Sequence, residues 1–498
     1  MKRCWRAMSR AIALLLAASL ACAPAHAASK ADKERTALIA QLRAHITELA
    51  SDAYEGREPG TEGESKTLRY LGKQWFDIGL ESGTNDPGHA WFAPVTLIGR
   101  EPASSAALFS RRGRRVPVPA DSVLVLTSGK RSLLENAPVL FVGKGEVIPP
   151  RAELAGRIAL LLDSGGKGSE RQNALLGGGA SAVMTVLDGD RTLANVVDRR
   201  SRLSYGIAGE ELSGDLDAFI TAAALDKALA GTGQNVALLQ KRAATADFSP
   251  WLIDLVATFE ATTHETRVNT HNMIGRLPGR RPDAGAVLVM AHWDHFGRCA
   301  PPPAPHEICN GAIDNASGVA AMTEIARKLS RGPELDRDVY FLATTGEEMG
   351  LLGAQAFAEN PPLPLKQIVA AFNIDSIALG PAGQPFAIVG VGMTPLDAQI
   401  AAVARQQKRK LAEGNAVNAY VKRQDGWALM QHDVPAVMVS SSWSDLARVE
   451  HFMETDYHRP TDVVKPGLEL GGAADDVDFH VAMIRWFADL RKVPATRN

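Results

Sequence analysis

The apolar residues of this chain change their period along its length. Between about residues 30 and 80, Leu38, Leu42, Ile46 and Leu49, and then Leu68, Leu71, Trp75 and Phe76, recur at helical spacing, which predicts two helices that each bury one face. The stretch 51–61 between them is broken by glycine and proline and reads as a loop, with an acidic and aromatic content that suits the rim of a binding site. From residue 92 to 250 the pattern turns to short β-type runs such as Val123–Thr127, 139–142 and Ile158–Leu162, punctuated by Gly, Pro and Ser. This predicts a separate, inserted β-rich module. Beyond it, four apolar runs at 286–291, 339–344, 368–374 and 436–440 alternate with helical stretches at 319–329, 351–359 and 396–411. Runs without polar interruption are buried on both faces, so the alternation predicts an α/β class domain with a largely parallel sheet.

Composition narrows the class of molecule. Hydrophobic residues make up 46% of 498 positions, enough for ordinary packed cores over two to three domains. The opening segment carries Lys2, Arg3, Arg6 and Arg10, then an apolar run at 11–22 and a small-x-small site at 25–27, the layout of a signal peptide over residues 1–27. Its removal predicts an exported protein, periplasmic or secreted, with lipid anchoring through Cys22 as the alternative. No later apolar run reaches the ~18 residues of a spanning helix, so no integral membrane association is expected. The net charge of −2 falls to about −6 without the four leading cations, which favours neither nucleic acid nor an anionic membrane. The basic runs at 111–115 and 408–410 read as a hairpin tip and a solvated helix face. Cys299 and Cys309 flank a loop with three consecutive prolines; in an oxidising compartment they are expected to form a disulfide contributing roughly 2.8 kcal/mol.

The candidate chemistry gathers at the ends of the predicted strands, where open α/β sheets place their ligands. His292 and Asp294 follow the run 286–291, Glu347 and Glu348 follow 339–344, Asp375 ends the run 368–374, Asp314 precedes the helix at 319–329, and His458 lies in 456–462. Singly, each has an ordinary reading as a surface pair, a solvated helix face or a turn residue. Together, His292, Asp314, Glu348, Asp375 and His458 supply three carboxylates and two imidazoles in one domain. Their three negative charges are excessive around one divalent ion but leave a single positive charge around two. An oxygen and nitrogen donor set without thiolates suits zinc, with manganese or cobalt able to take the same places.

These residues resemble metallopeptidase family 28, the co-catalytic zinc aminopeptidases, whose relatives include glutamate carboxypeptidase and the transferrin receptor. The resemblance lies in the motifs at 291–297, 314–318, 346–353, 373–375 and 457–462, with a further match at 55–63. It implies a three-layer α/β/α zinc-exopeptidase fold with a mostly parallel mixed sheet, two Zn2+ per chain and peptide substrates. Asp314 would bridge the ions, His292 and Asp375 would complete one site, and Glu348 and His458 the other. Asp294 would orient His292, Glu347 would be the general base, and Tyr457 would donate to the oxyanion or pack as an ordinary aromatic. The implied division is a peptidase part at 28–91, an insert resembling a protease-associated domain at 92–250, and the main peptidase part at 251–498. The resemblance implies an aminopeptidase, with a carboxypeptidase or a non-catalytic binding protein on the same scaffold as alternatives.

Overall fold

The computed structural model describes residues 29–84, 88, 91–162, 168–187, 191–209 and 215–495. The expected signal segment and Cys22 lie outside the described residues.

The two helices expected near the start span Lys30–Leu49 and Glu62–Ile78. Ser29 caps the first through a reciprocal box with Asp32, and Gly79, at φ 87°, ends the second in the left-handed conformation that glycine adopts without strain. Trp75 is wholly buried as expected, whereas Phe76 is 74% exposed. Successive residues on a helix are turned about 100° apart, so a face that buries Trp75 directs its neighbour toward solvent.

The four apolar runs form the parallel strands Ala286–His292, Asp338–Thr344, Ile368–Asn373 and Ala436–Ser440. Alternate side chains point to opposite faces. Val287, Val289, Ala291, Val339 and Phe341 join the core built with Lys30–Leu49, Glu62–Ile78, Ser317–Ser330 and Gly471–Ala488. Leu288, Met290, Leu342 and Ala371 face the opposite layer, with Ala354 and Phe357 of the helix Leu352–Glu359 and Leu429 of Gly426–Met430. Each fully buried Val, Leu or Phe contributes roughly 1.5–3 kcal/mol, which explains why both faces carry helices. The result is three α/β/α layers, with antiparallel strands closing the parallel set at Ala387–Val389 and at the end of Trp251–Leu277.

That last strand is 27 residues long and carries the sheet on into residues 92–250, pairing along its length with Phe92–Arg111 and, in its first half, with Arg131–Phe141. The sheet continues through Ile158–Leu162, Ala182–Leu187, Leu216–Thr221 and Val123–Thr127, giving one 15-stranded sheet among the described residues. The β runs expected between 92 and 250 are interleaved with helices such as Ala222–Leu229 and Val236–Ala243, which bury Leu225, Leu229 and Leu239 against them. The basic run at 111–115 is a hairpin tip between paired strands. The run at 408–410 differs from expectation: the helix ends at Gln406, and Arg409 turns back to pair with buried Asp475. Cys299 and Cys309 are disulfide-bonded, with Cα atoms 5.7 Å apart.

Candidate metal centre

All five expected ligands converge where the parallel strands end. The strand Ala286–His292 delivers His292 at its last residue, and Trp293 N donates to Thr344 O at 2.9 Å, which holds the neighbouring strand ends in step. Glu347 and Glu348 follow Asp338–Thr344 across a turn at Gly346, and Asp375 follows Ile368–Asn373. Asp314 sits in the turn Ala312–Ala316 that leads into the helix Ser317–Ser330. His458, at φ 57°, lies just beyond the helix Leu446–Thr455.

Asp314 is the centre of the arrangement. Its Oδ1 is 3.2 Å from His292 Nε2 and its Oδ2 is 3.4 Å from His458 Nε2, so each carboxylate oxygen addresses a different histidine. His292 Nε2 is also 3.6 Å from Asp375 Oδ1, and His458 Nε2 is 2.9 Å from Glu348 Oε2. Glu347 offers an oxygen to the same space: potential ligand atoms of His292, Glu347 and Asp375 lie within 4.8 Å of one another, as do those of His292, Asp314 and Glu348.

The donor atoms fit cations. His292 Nε2, His458 Nε2 and Asp314 Oδ2 are buried without a hydrogen bond, an arrangement that is costly unless something else completes them. Carboxylates also crowd the site. Burial drives the pKa of Glu347 well above the usual range, with Glu348, Asp425 and Asp375 adding to the effect and His292 opposing it. Burial works against a charged His292, yet Glu347, Asp314 and Asp375 hold its pKa well above that of a free imidazole. Burial would raise Asp314 too, but contact with His292 and His458 holds it well below the usual range. Divalent ions among these oxygens and nitrogens would relieve the same excess of negative charge.

The surrounding residues divide into those expected and those the motifs did not assign. Asp294 is fully buried and beside His292 as expected, but the imidazole Nδ1 is nearer its main-chain oxygen, at 3.3 Å, than its carboxylate, at 3.8 Å. Tyr457 stacks on His458 with ring centroids 3.5 Å apart, and its hydroxyl accepts from Arg423 at 3.2 Å. Four further residues carried no expected role. His295 Nδ1 contacts Glu348 Oε1 at 2.6 Å. Asp462 accepts the main-chain N–H groups of Ile313 and Asp314, each at 3.0 Å. Asp425, wholly buried, accepts the Thr344 hydroxyl, and burial pushes its pKa up to about 6. Arg57, 1% exposed, donates to Trp293 O, Leu49 O, Asn310 O and Gly311 O at 2.6 to 2.9 Å, which ties the first helix to the ligand loops. His295, Asp462 and Arg57 stand inside the matching motifs, so their position was visible. Only Asp425 lay outside any of them.

Comparison with known proteins agrees with this geometry. The sequence model of Peptidase family M28 matches residues 272–472, which include all five candidate ligands. The alkaline phosphatase isozyme conversion protein of Escherichia coli is 28% identical over 129 residues, 24% of this chain and 36% of that protein. Aminopeptidase YwaD of Bacillus subtilis is 33% identical over 114 residues, 22% of this chain and 23% of that protein. The chain thus spans about a third and a quarter of the length of these curated relatives. An aminopeptidase structure from Aneurinibacillus sp. strain AM-1 shares the fold with a TM-score of 0.52 at 19% identity, covering 90% of this chain and 93% of that one. The match to the model of Peptidase family M28 thus takes in the whole ligand-bearing segment of the chain.

Proposed function

We propose that this protein is an exported two-zinc exopeptidase that removes residues from the N-terminus of peptides. The observation that carries the reading is the Asp314 carboxylate set between two histidines, with Asp375 on one side and Glu348 on the other. His292, Asp314 and Asp375 would hold one ion, and Asp314, Glu348 and His458 the other. When bound, the pair of ions supplies Lewis-acid polarisation of the scissile carbonyl and lowers the pKa of the attacking water.

The protein's own groups do the rest. Glu347 faces the site from the position next to a ligand, takes the proton of the attacking water and returns it to the leaving amine. Asp294 fixes the ring orientation of His292. The Tyr457 hydroxyl donates to the oxyanion as the carbonyl becomes tetrahedral. Residues 28–91 and 251–498 form the peptidase part in this reading, with 92–250 a protease-associated-like insert beside the entrance. Residues 1–27 direct export; no described helix is long and apolar enough to cross a membrane.

A panel of short peptides blocked at either end tests the proposal. Release of the first residue from peptides with a free N-terminus, abolished by N-terminal acetylation and by chelation, is the expected result. Cleavage that survives acetylation and releases the last residue instead would overturn it.

A further inference from the structure

Two clefts meet at one short strand, and their charges are opposite. The first, of 340 Å³, borders the metal centre at Glu348 and His295 and is lined also by Glu58, Phe296, Tyr205 and Met349. The second, of 520 Å³, lies in the inserted region and is lined by four arginines, Arg100, Arg199, Arg200 and Arg202, against two aspartates, Asp215 and Asp217. Leu203 and Ser204 line both. The two clefts thus adjoin at Leu203 and Ser204, at the start of the strand Ser204–Ile207.

The charges at the two ends are available to a ligand. At the metal end, the Glu58 side chain lies over Gly297 so closely that any side chain there would displace it, and its carboxylate has no ion-pair or hydrogen-bond partner among the described residues. Half-burial raises its pKa, the response of a carboxylate that lacks a cation. At the far end, Arg200 is engaged with Asp217 at 2.6 Å and Arg100 with Glu265 at 3.0 Å. Arg202 Nε donates to Asp198 O at 3.2 Å, and its guanidinium reaches the Asp198 carboxylate at 3.7 Å, both exposed contacts of little strength. Arg199 makes no ion pair or hydrogen bond among the described residues.

The strand between them offers a backbone. Among the described residues Ser204–Ile207 pairs only with Phe92–Arg111, and Ala208 N donates to Thr96 O at 2.8 Å. Since hydrogen-bonding direction alternates along an antiparallel strand, Ser204 and Gly206 also face that partner, and Tyr205 turns its main-chain groups the other way. No described residue pairs with them. An extended peptide can add along such an edge.

We propose that the two clefts form a single groove for short peptides with both ends free, in which the α-ammonium group lies toward Glu58 and the metal centre and the C-terminal carboxylate lies toward Arg199 and Arg202. This rests on the aminopeptidase reading and extends it: the arginine end makes the enzyme an oligopeptidase that senses the far terminus of its substrate. Arginine suits this role because its planar fork matches a carboxylate.

The test is a length series, Leu followed by one to seven alanines, each as free acid and as C-terminal amide, with release of leucine measured on the metal-loaded enzyme. At one or more lengths beyond the dipeptide, amidation should raise KM about 5- to 10-fold while kcat changes by less than 2-fold. The double variant Arg199→Ala/Arg202→Ala should raise KM for the acids to the value of the amides and so abolish the difference. Arg112→Ala, which removes an equal kind of charge elsewhere on the insert, should preserve it. Equal KM for acid and amide at every length, or a difference that persists in the double variant, overturns the groove while leaving leucine release intact. Release of the C-terminal alanine in place of leucine would instead overturn the aminopeptidase reading itself.

Discussion

Asp462 holds Asp314 from behind: its carboxylate accepts the main-chain N–H of Asp314 at 3.0 Å, four positions after His458. One short segment thus contributes a candidate ligand with its histidine and positions another, Asp314, with its aspartate. Burial pushes the pKa of Asp462 up to about 6, and the two N–H donors counter this by favouring the charged form. Replacing Asp462 with alanine should lower metal affinity about 10- to 100-fold while the far-ultraviolet circular dichroism spectrum is retained. A Kd for zinc equal to that of the parent protein would show that Asp314 is placed without this support.

Glu347 is expected to move protons, and Glu348, its neighbour, to hold an ion. The variant Glu347→Gln should therefore keep two metal equivalents by elemental analysis and lose about 10²- to 10⁴-fold in kcat with little change in KM. Near-normal turnover would remove Glu347 from the chemistry, and loss of one equivalent would make it a ligand, a role its proximity to His292 and Asp375 also permits.

The loop between Cys299 and Cys309 reaches the rim of the site, where Cys309 N donates to Gly297 O at 2.8 Å. Chain-entropy arithmetic for a loop of ten positions gives about 2.8 kcal/mol. The double variant Cys299→Ser/Cys309→Ser should lower unfolding stability by about that amount in urea. Limited proteolysis should then cut between residues 300 and 308, and protection equal to the parent's would show that the prolines alone hold the loop.

His480 contributes stability at neutral pH and loses it in acid. Burial holds its pKa down to about 4, so the folded form is neutral where the unfolded imidazole, near 6.5, would take a proton. A depressed folded pKa gives stability that is complete above 6.5 and is lost as pH falls through 4, here amounting to about 3 kcal/mol. Asp476, raised by burial to about 7, acts in the opposite direction, and its share is lost as pH rises. The comparison must therefore be between variants. Urea unfolding at pH 7 and pH 4.5 should show a smaller acid loss for His480→Leu than for the parent protein, and equal losses would count against this assignment.

Much of the centre was legible because metal ligation imposes residue type and because strand ends are marked by where an apolar run stops. His292, Glu348 and Asp375 each stand within a few positions of such a stop. Asp425 was not legible: it lies in 424–427 beside a tryptophan, with nothing local to separate it from a surface aspartate, and only the folded chain brings it under Thr344. Phe76 shows a related limit. Its spacing from Leu68 fits a broad apolar stripe, but with Trp75 already filling the core the adjacent residue has nowhere inward to go. The helices within 92–250 were obscured because they are short: Val236–Ala243 buries only Val236 and Leu239, too few to show a period against the stronger signal of the strands.

The strand Trp251–Leu277 passes without a break from the sheet formed with residues 92–250 into the α/β/α layers. A hinge needs a break where dihedral angles can swing freely, and this crossing has instead a ladder shared with Phe92–Arg111 on its flank. The two parts of the sheet are thereby splined together like the blade and handle of one tool. Whatever widens or narrows the entrance must come from loops and side chains along the groove, and the distance between its two charged ends acts as a fixed gauge against which a substrate is measured.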